Sequence, residues 1–264
     1  MATLYWLDVN GNFNDTANWS TSRGGAGGSG PPTTGDTAYI ESGNKDIYTS
    51  SSVTGVTAMY VTAGFTGSFG TAAAAAQVAG TTLVLSHSGP AYVTGGWTTA
   101  KSSSQTGQTH TFSGAVTVTT LQAGQAGTVI VGSGITNTTI RSSGAKVVIK
   151  TGAGSGPTTV LTAGNIECER SVGSIEVMAG SRTLFYGTSG AITTSAKIYS
   201  GGTMVYNSPG TIASLEIRPG GVFDSSQNPY PITVTSRTAW AGSSYTNKTG
   251  AGDITFSASS DVPV

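Results

Sequence analysis

At 264 residues, 37% of them hydrophobic, the chain is long enough for one extended domain or two ordinary ones, and apolar enough to bury a core, which excludes a disordered tail. Only 9% of residues are charged where roughly 25% is usual. Twelve basic residues cancel twelve acidic ones, so there is no electrostatic footprint for nucleic acid or an anionic membrane.

The chain opens MATLYWLDVN, without a basic region followed by an apolar one, and no apolar run reaches the roughly 20 residues of a membrane span. Synthesis in a cytoplasm without export is expected. Residues 1–50 read as an N-terminal cap or docking segment carrying Trp6, Phe13 and Trp19, with a Gly- and Pro-rich stretch, SRGGAGGSGPPTTGD, that resists regular structure. DVNGNFND, Asp8 to Asp15, alternates oxygen-bearing side chains as a calcium loop does. Its glycine falls at the fourth place and no Glu stands at the twelfth, so an Asx-rich turn is the simpler reading and no metal is assigned.

From residue 51 to 224 a short pattern of apolar, polar, small and glycine residues recurs: VTAG to Gly64, LQAG to Gly124, IRSSG to Gly144, LTAG to Gly164, VMAG to Gly180, IYSG to Gly201 and IRPG to Gly220. From Gly124 onward the glycines follow one another at intervals of 20, 20, 16, 21 and 19, and the stretch from Gly64 to Gly124 fits three more turns of that length. A recurrence near 20 is the mark of a solenoid, whose turns bury their inner faces only by stacking. Period-2 alternation on both sides of each glycine gives two short strands and a sharp corner, so the fold class is all-β, a parallel β-helix.

Aligning the turns on their glycines has two consequences. Val177, Ile198 and Ile217, each three places before its glycine, form one interior column. Glu176, Lys197 and Glu216, each four places before, form an outward ladder of alternating charge, the favourable order for neighbouring strands. The run TAAAAAQVAG, Thr71 to Gly80, is open between a short helix and a strand layer of small residues. Residues 225–264 lose the pattern and read as a C-terminal β cap over the last open edge.

Chemistry-bearing groups are sparse. His87 and His110 lie in no nucleophile motif, Glu167 and Glu169 share a strand face as both paired catalytic carboxylates and solvated charges do, and Cys168, the only cysteine, reads as a small buried hydrophobe. Aromatics at both ends can stack sugars, close the core or meet a partner. Trp6, Phe13, Trp19, Asp36, Tyr39, Trp240 and Tyr245 are therefore the interface or docking candidates; no catalytic residue and no cofactor are assigned.

The segment from Tyr5 to Ile40, with Trp6, Ala17-Asn18-Trp19, Pro31-Pro32, Gly35-Asp36, Tyr39 and Ile40, resembles a leader that precedes β-solenoid segments in tailed-phage virion proteins and some bacterial surface proteins. The resemblance covers about the first 40 positions. It implies a non-enzymatic virion structural protein of the capsid decoration, cement or head-fibre type, trimeric, made in the host cytoplasm and exposed on the particle. Its partners would be the major capsid protein or other virion proteins, not nucleic acid or membrane. The alternative is a tailspike or fibre that binds or cleaves host polysaccharide, and a more distant one is an adhesin segment.

Overall fold

The computed structural model describes residues 1–103, 106–125, 127–152, 156–187, 190–246 and 254–263, which form two compact units, 1–136 and 137–264. Both are parallel β-solenoids with a repeat close to that of the glycines, and among the described residues the one helical element is a three-residue 3₁₀ turn.

The first unit starts with β1 (Thr3–Trp6) and β2 (Trp19–Ser20), an antiparallel pair. From β3 (Thr37–Ile40) onward all pairing is parallel. The main sheet continues through β4 (Val53–Val61) and β5 (Val78–Leu85); the second sheet opens with β6 (Ala91–Val93). β7 (Trp97–Ser102) and β9 (Val118–Gly124) then extend the first sheet, and β8 (Thr109–Phe112) and β10 (Thr128–Val131) the second. The stretch from Gly64 to Gly124 thus holds three turns, whose main-sheet strands are β5, β7 and β9. The alanine run is neither helix nor strand: Thr71 and Ala74 close a turn, and Ala76 bridges to Val93. Five alanines are too few to nucleate a helix against strands fixed on either side.

In the second unit one sheet is β11 (Thr139–Ser143), β13 (Thr159–Ala163), β15 (Val172–Val177), β17 (Ile192–Ile198), β19 (Gly210–Ile217), β21 (Ile232–Trp240) and β23 (Ile254–Val262). The facing sheet is β12 (Lys146–Ile149), β14 (Asn165–Cys168), β16 (Arg182–Tyr186), β18 (Thr203–Asn207), β20 (Val222–Asp224) and β22 (Ser244–Thr246). Parallel pairing therefore runs on through the segment read from sequence as a terminal cap.

Valine and isoleucine on alternate positions decide which side of each strand is inside. Val177, Ile198 and Ile217 are register partners with no exposed surface, one interior column as the glycine alignment requires. Each such side chain contributes about 1.5–3 kcal/mol of burial. In the first unit one interior column is Leu4, Ala38, Met59, Leu83, Ala100 and Leu121. The columns change character at the far end of the second unit. Ile217 is followed by Ala239 and Asp261, and Leu215 by Arg237 and Ser259.

The corners explain the uneven spacing of the repeat. Four-residue turns close at 178–181, 199–202, 218–221 and 240–243, each with a backbone bond from its last N–H to its first carbonyl. Gly180, Gly201, Gly220 and Gly242 occupy the third position with φ of 71°, 75°, 74° and 77°, a left-handed conformation that costs a residue with a Cβ about 1–2 kcal/mol. These glycines stack, each amide bonding the next one's carbonyl at 2.8–3.0 Å. The corner that opens the short interval between Gly164 and Gly180 is Gly164 alone, and the rest of the shortening lies between β14 and β15, where Cys168 to Ile175 spans 7 positions against 11 from Phe185 to Ala196. At Gly164 itself Thr162 replaces the missing turn, its hydroxyl donating to the Gly164 carbonyl at 2.7 Å and accepting from the Gly164 amide at 3.2 Å.

Candidate functional site

Within the N-terminal leader, β1 and β2 bring Trp6 and Trp19 opposite one another, and the loop between them folds Phe13 onto both, with ring centroids 4.9–6.4 Å apart. Trp19 and Phe13 are fully buried and Trp6 nearly so, and the Trp19 indole N–H donates to the Phe13 carbonyl at 2.7 Å. These three side chains form the core of the leader and offer no free surface to a partner.

The Asp8–Asp15 loop around them is held by its own amides and carboxylates. The Asn18 amide donates to the Asn10 side chain and the Asn12 carbonyl, the Asn10 amide donates to Asp15, and Asp15 caps the 3₁₀ turn by accepting from the Ala17 N–H. The Asn10, Asn12 and Asp15 oxygens are thus committed within an Asx-rich turn, while Asp8 accepts from Trp6 and Asn44, and Asn14 from Ser50 and Ser51. Among the described residues no group of three or more His, Cys, Asp or Glu side chains is placed to hold a metal.

Asp36 is also buried, accepting from the Ala2 and Thr33 amides and the Thr33 hydroxyl at 2.6–3.0 Å. Burial opposes its ionisation, but these bonds prevail and hold the carboxyl below its usual range. Tyr39, by contrast, is half-exposed. It is the middle member of a stack of register partners, Tyr5, Tyr39 and Tyr60, with centroids 5.5 and 4.9 Å apart and planes within 17°. Arg23 lies over the open face of Tyr5 at 5.3 Å while gripping Glu41 through two 2.7 Å bonds. This stack faces outward; the faces of Tyr5 and Tyr39 are covered by the neighbouring rings and Arg23, while Tyr60 closes the stack beside its register partner Val84.

At the other end, Trp240 and Tyr245 line an open hollow of about 450 Å³ together with Arg237 and Asp261. Tyr245 continues the interior column Thr183, Met204, Phe223 and is 45% exposed because its outer face carries no further turn among the described residues. Arg237 is 9% exposed. Its guanidinium lies 4.9 Å from the Tyr245 ring and 5.0 Å from Phe256, and it binds Asp261 at 2.8 Å. Trp240 lies on the flank beneath Arg218, which also binds Glu216 at 2.7 Å.

Glu176, Lys197 and Glu216 are successive register partners and half-exposed. Their neighbours two places along assist: the Tyr199 hydroxyl donates to Glu176, and Arg218 binds Glu216. Glu167 and Glu169 each take a lysine, Lys146 and Lys150, at 2.6 Å. Burial raises the Glu169 carboxyl, but bonds from Lys150, Tyr186 and Thr151 outweigh it and bring it down to about 2, the opposite of what a general acid needs. Cys168 is fully buried, its thiol pushed up to about 12 by burial.

One pairing leaves little trace in the sequence. His87 and His110, on successive turns, stack at 5.0 Å in the interior beneath Phe65, and Ser102 lies 2.8 Å from His110 Nδ1. Burial lowers them to about 4 and about 3, so both are neutral near pH 7. All three of these polar residues are at most 1% exposed, so the serine–imidazole pair has no route to a substrate. The separation of the two histidines by roughly one turn is the only signal of it in the sequence.

Comparison with protein-family models, curated proteins and solved structures finds no match.

Proposed function

We propose that this chain is a non-enzymatic structural protein of a tailed-phage virion, a capsid decoration or cement protein that docks on the assembled head and stabilises it. One observation carries the reading: the reactive side chains singled out in the sequence are committed to the fold. The histidines and Cys168 are buried, Glu167, Glu169 and Glu216 are ion-paired, and Asp15 and Asp36 close local turns. What remains outside is a surface of low charge.

A protein that binds only the finished shell stabilises it by mass action, and a preformed solenoid loses little freedom on docking. The outward part of the leader, the tyrosine stack with Arg23 and Glu41, is the preferred docking or trimer surface, and the end bearing Tyr245 is its rival. The test is the copy number of this chain in purified particles from its source, by quantitative mass spectrometry against the main capsid subunit. A ratio matching the shell lattice is expected; a few copies per particle would move it to the tail, and absence would end the virion reading.

A further inference from the structure

Along one flank of the first unit three hollows follow one another, neighbours sharing lining residues, and together they are treated as one groove. The first lies between Pro31–Thr34 and Ser52–Thr54, with a volume of about 310 Å³. The second, about 470 Å³, runs from those same residues 52–54 past Gln77 and Thr94 to Gly96. The third, about 240 Å³, continues from Gly96 along Trp97, Thr117 and Thr119. The groove crosses successive turns at their bends, where Val53 pairs with Val78, Gly80 with Trp97 and Trp97 with Val118. At about 4.8 Å per strand it spans roughly 15–20 Å.

Its chemistry is uniform. Among the described residues no charged side chain lines any of the three hollows; hydroxyls, the Asn14 and Gln77 amides, backbone, Pro31, Pro32, Val53 and Val116 do. Between Asp46 and Arg141 the chain carries one charged residue, Lys101. Two hydrogen-bonding groups of the lining residues are unspent: the Trp97 indole N–H and the Thr94 hydroxyl are buried without a partner among the described residues. Trp97 itself is 2% exposed. Neither atom reaches the surface of the hollows, so the lining that a ligand meets is the exposed one, Ser52, Thr54, Gln77 and Thr117 among it.

We propose that this groove binds a linear, neutral glycan. Sugar hydroxyls match the hydroxyl and amide lining, and C–H faces match the prolines and valines. The absence of charge disfavours uronic or sialic acids and nucleic acid. An extended peptide is the poorer occupant because peptides add to free strand edges. Here the floor's amides are already spent within the ladder: Val53 on Gln77, Gly80 on Gly96, Thr94 on Ala76 and Trp97 on Thr117.

The test is an array of neutral linear oligosaccharides (glucans, mannans, galactans and chitin oligomers) with acidic glycans and proline-rich peptides printed beside them, probed with the full chain. Retention on a neutral series is expected, rising with oligomer length and unchanged at about 0.5 M salt. The exposed pair Thr54→Lys and Gln77→Glu, verified as folded by its melting curve, should weaken it about tenfold or more. Retention of acidic glycans or peptides alone, no retention at all, or retention indifferent to the double variant would each overturn the proposal. The virion reading stands or falls separately, on copy number.

Discussion

The two units share a backbone plan and differ in what they stack on the outside. Residues 47–136 carry one charge, Lys101, and their outward columns are neutral: Thr82, Thr99 and Thr120 align, as do Tyr5, Tyr39 and Tyr60 before them. Residues 137–264 carry nine basic and seven acidic residues, and there the column reads Glu176, Lys197, Glu216. A parallel stack sets equivalent positions about 4.8 Å apart. At that distance identical neutral side chains reinforce one another, whereas charges must alternate. The contrast extends inward: the first unit buries a neutral imidazole pair and the second unit contains no histidine.

The largest effect that sharpens this contrast is in the cores. Trp19→Ala empties a fully buried site and strands the Phe13 carbonyl, and should cost about 3–5 kcal/mol, with amide exchange rising first in β1 and β3. Ile198→Ala should cost about 2–5 kcal/mol, felt first in β15 and β19. Losses below about 1 kcal/mol in denaturant unfolding would mean that the columns are not the source of stability.

Acid comes next. Both imidazoles titrate below the unfolded value of 6.5, so the unfolded chain takes up protons first. The first unit's stability is whole above about pH 6.5 and falls as pH drops toward 4, by about 3 kcal/mol for His87. In the second unit Glu169, at about 2 against 4.5, gives stability that persists above 4.5 and goes only as pH falls toward 2. Amide exchange corrected for intrinsic rates should find residues 80–112 loosening at higher pH than 165–217, and His87→Phe should narrow the gap. Simultaneous loosening below pH 4 would sink this account.

The smallest effect lies on the surface. Lys197→Glu sets three acids in a row and should cost no more than about 1 kcal/mol, shrinking with added salt. Thr99→Val in the neutral column should show no such salt dependence. Equal salt sensitivity at the two positions would erase the difference between the surfaces.

The solenoid is legible because glycine marks its corners, and the column through Val177, Ile198 and Ile217 follows directly from that spacing. Gly242 belongs to the same series, but AWAG comes late, a little more than one turn after Gly220, and is followed by the polar SSYTNKTG, so the last turns read as a cap. Sequence leaves open whether aromatics are sealed or displayed. Trp6, Phe13 and Trp19 are alike in composition to Tyr39 and Tyr245, and only the fold of the loop between β1 and β2 puts the first three inside. The groove is illegible for another reason: it is cut by bends at register shifts such as that between Val53 and Val56, and no residue type announces it.

Arg237 and Asp261 stand at places in the interior columns where earlier turns have Leu215 and Ile217. Any parallel stack is in principle a template for further growth, since each exposed strand invites another. A copy adding beyond β23 would have to take the Asp261 carboxylate, 78% exposed, out of water, at several kcal/mol, whereas Arg237 is already buried. Asp261 therefore opposes further stacking at that edge, a cost that the apolar columns of the earlier turns do not carry.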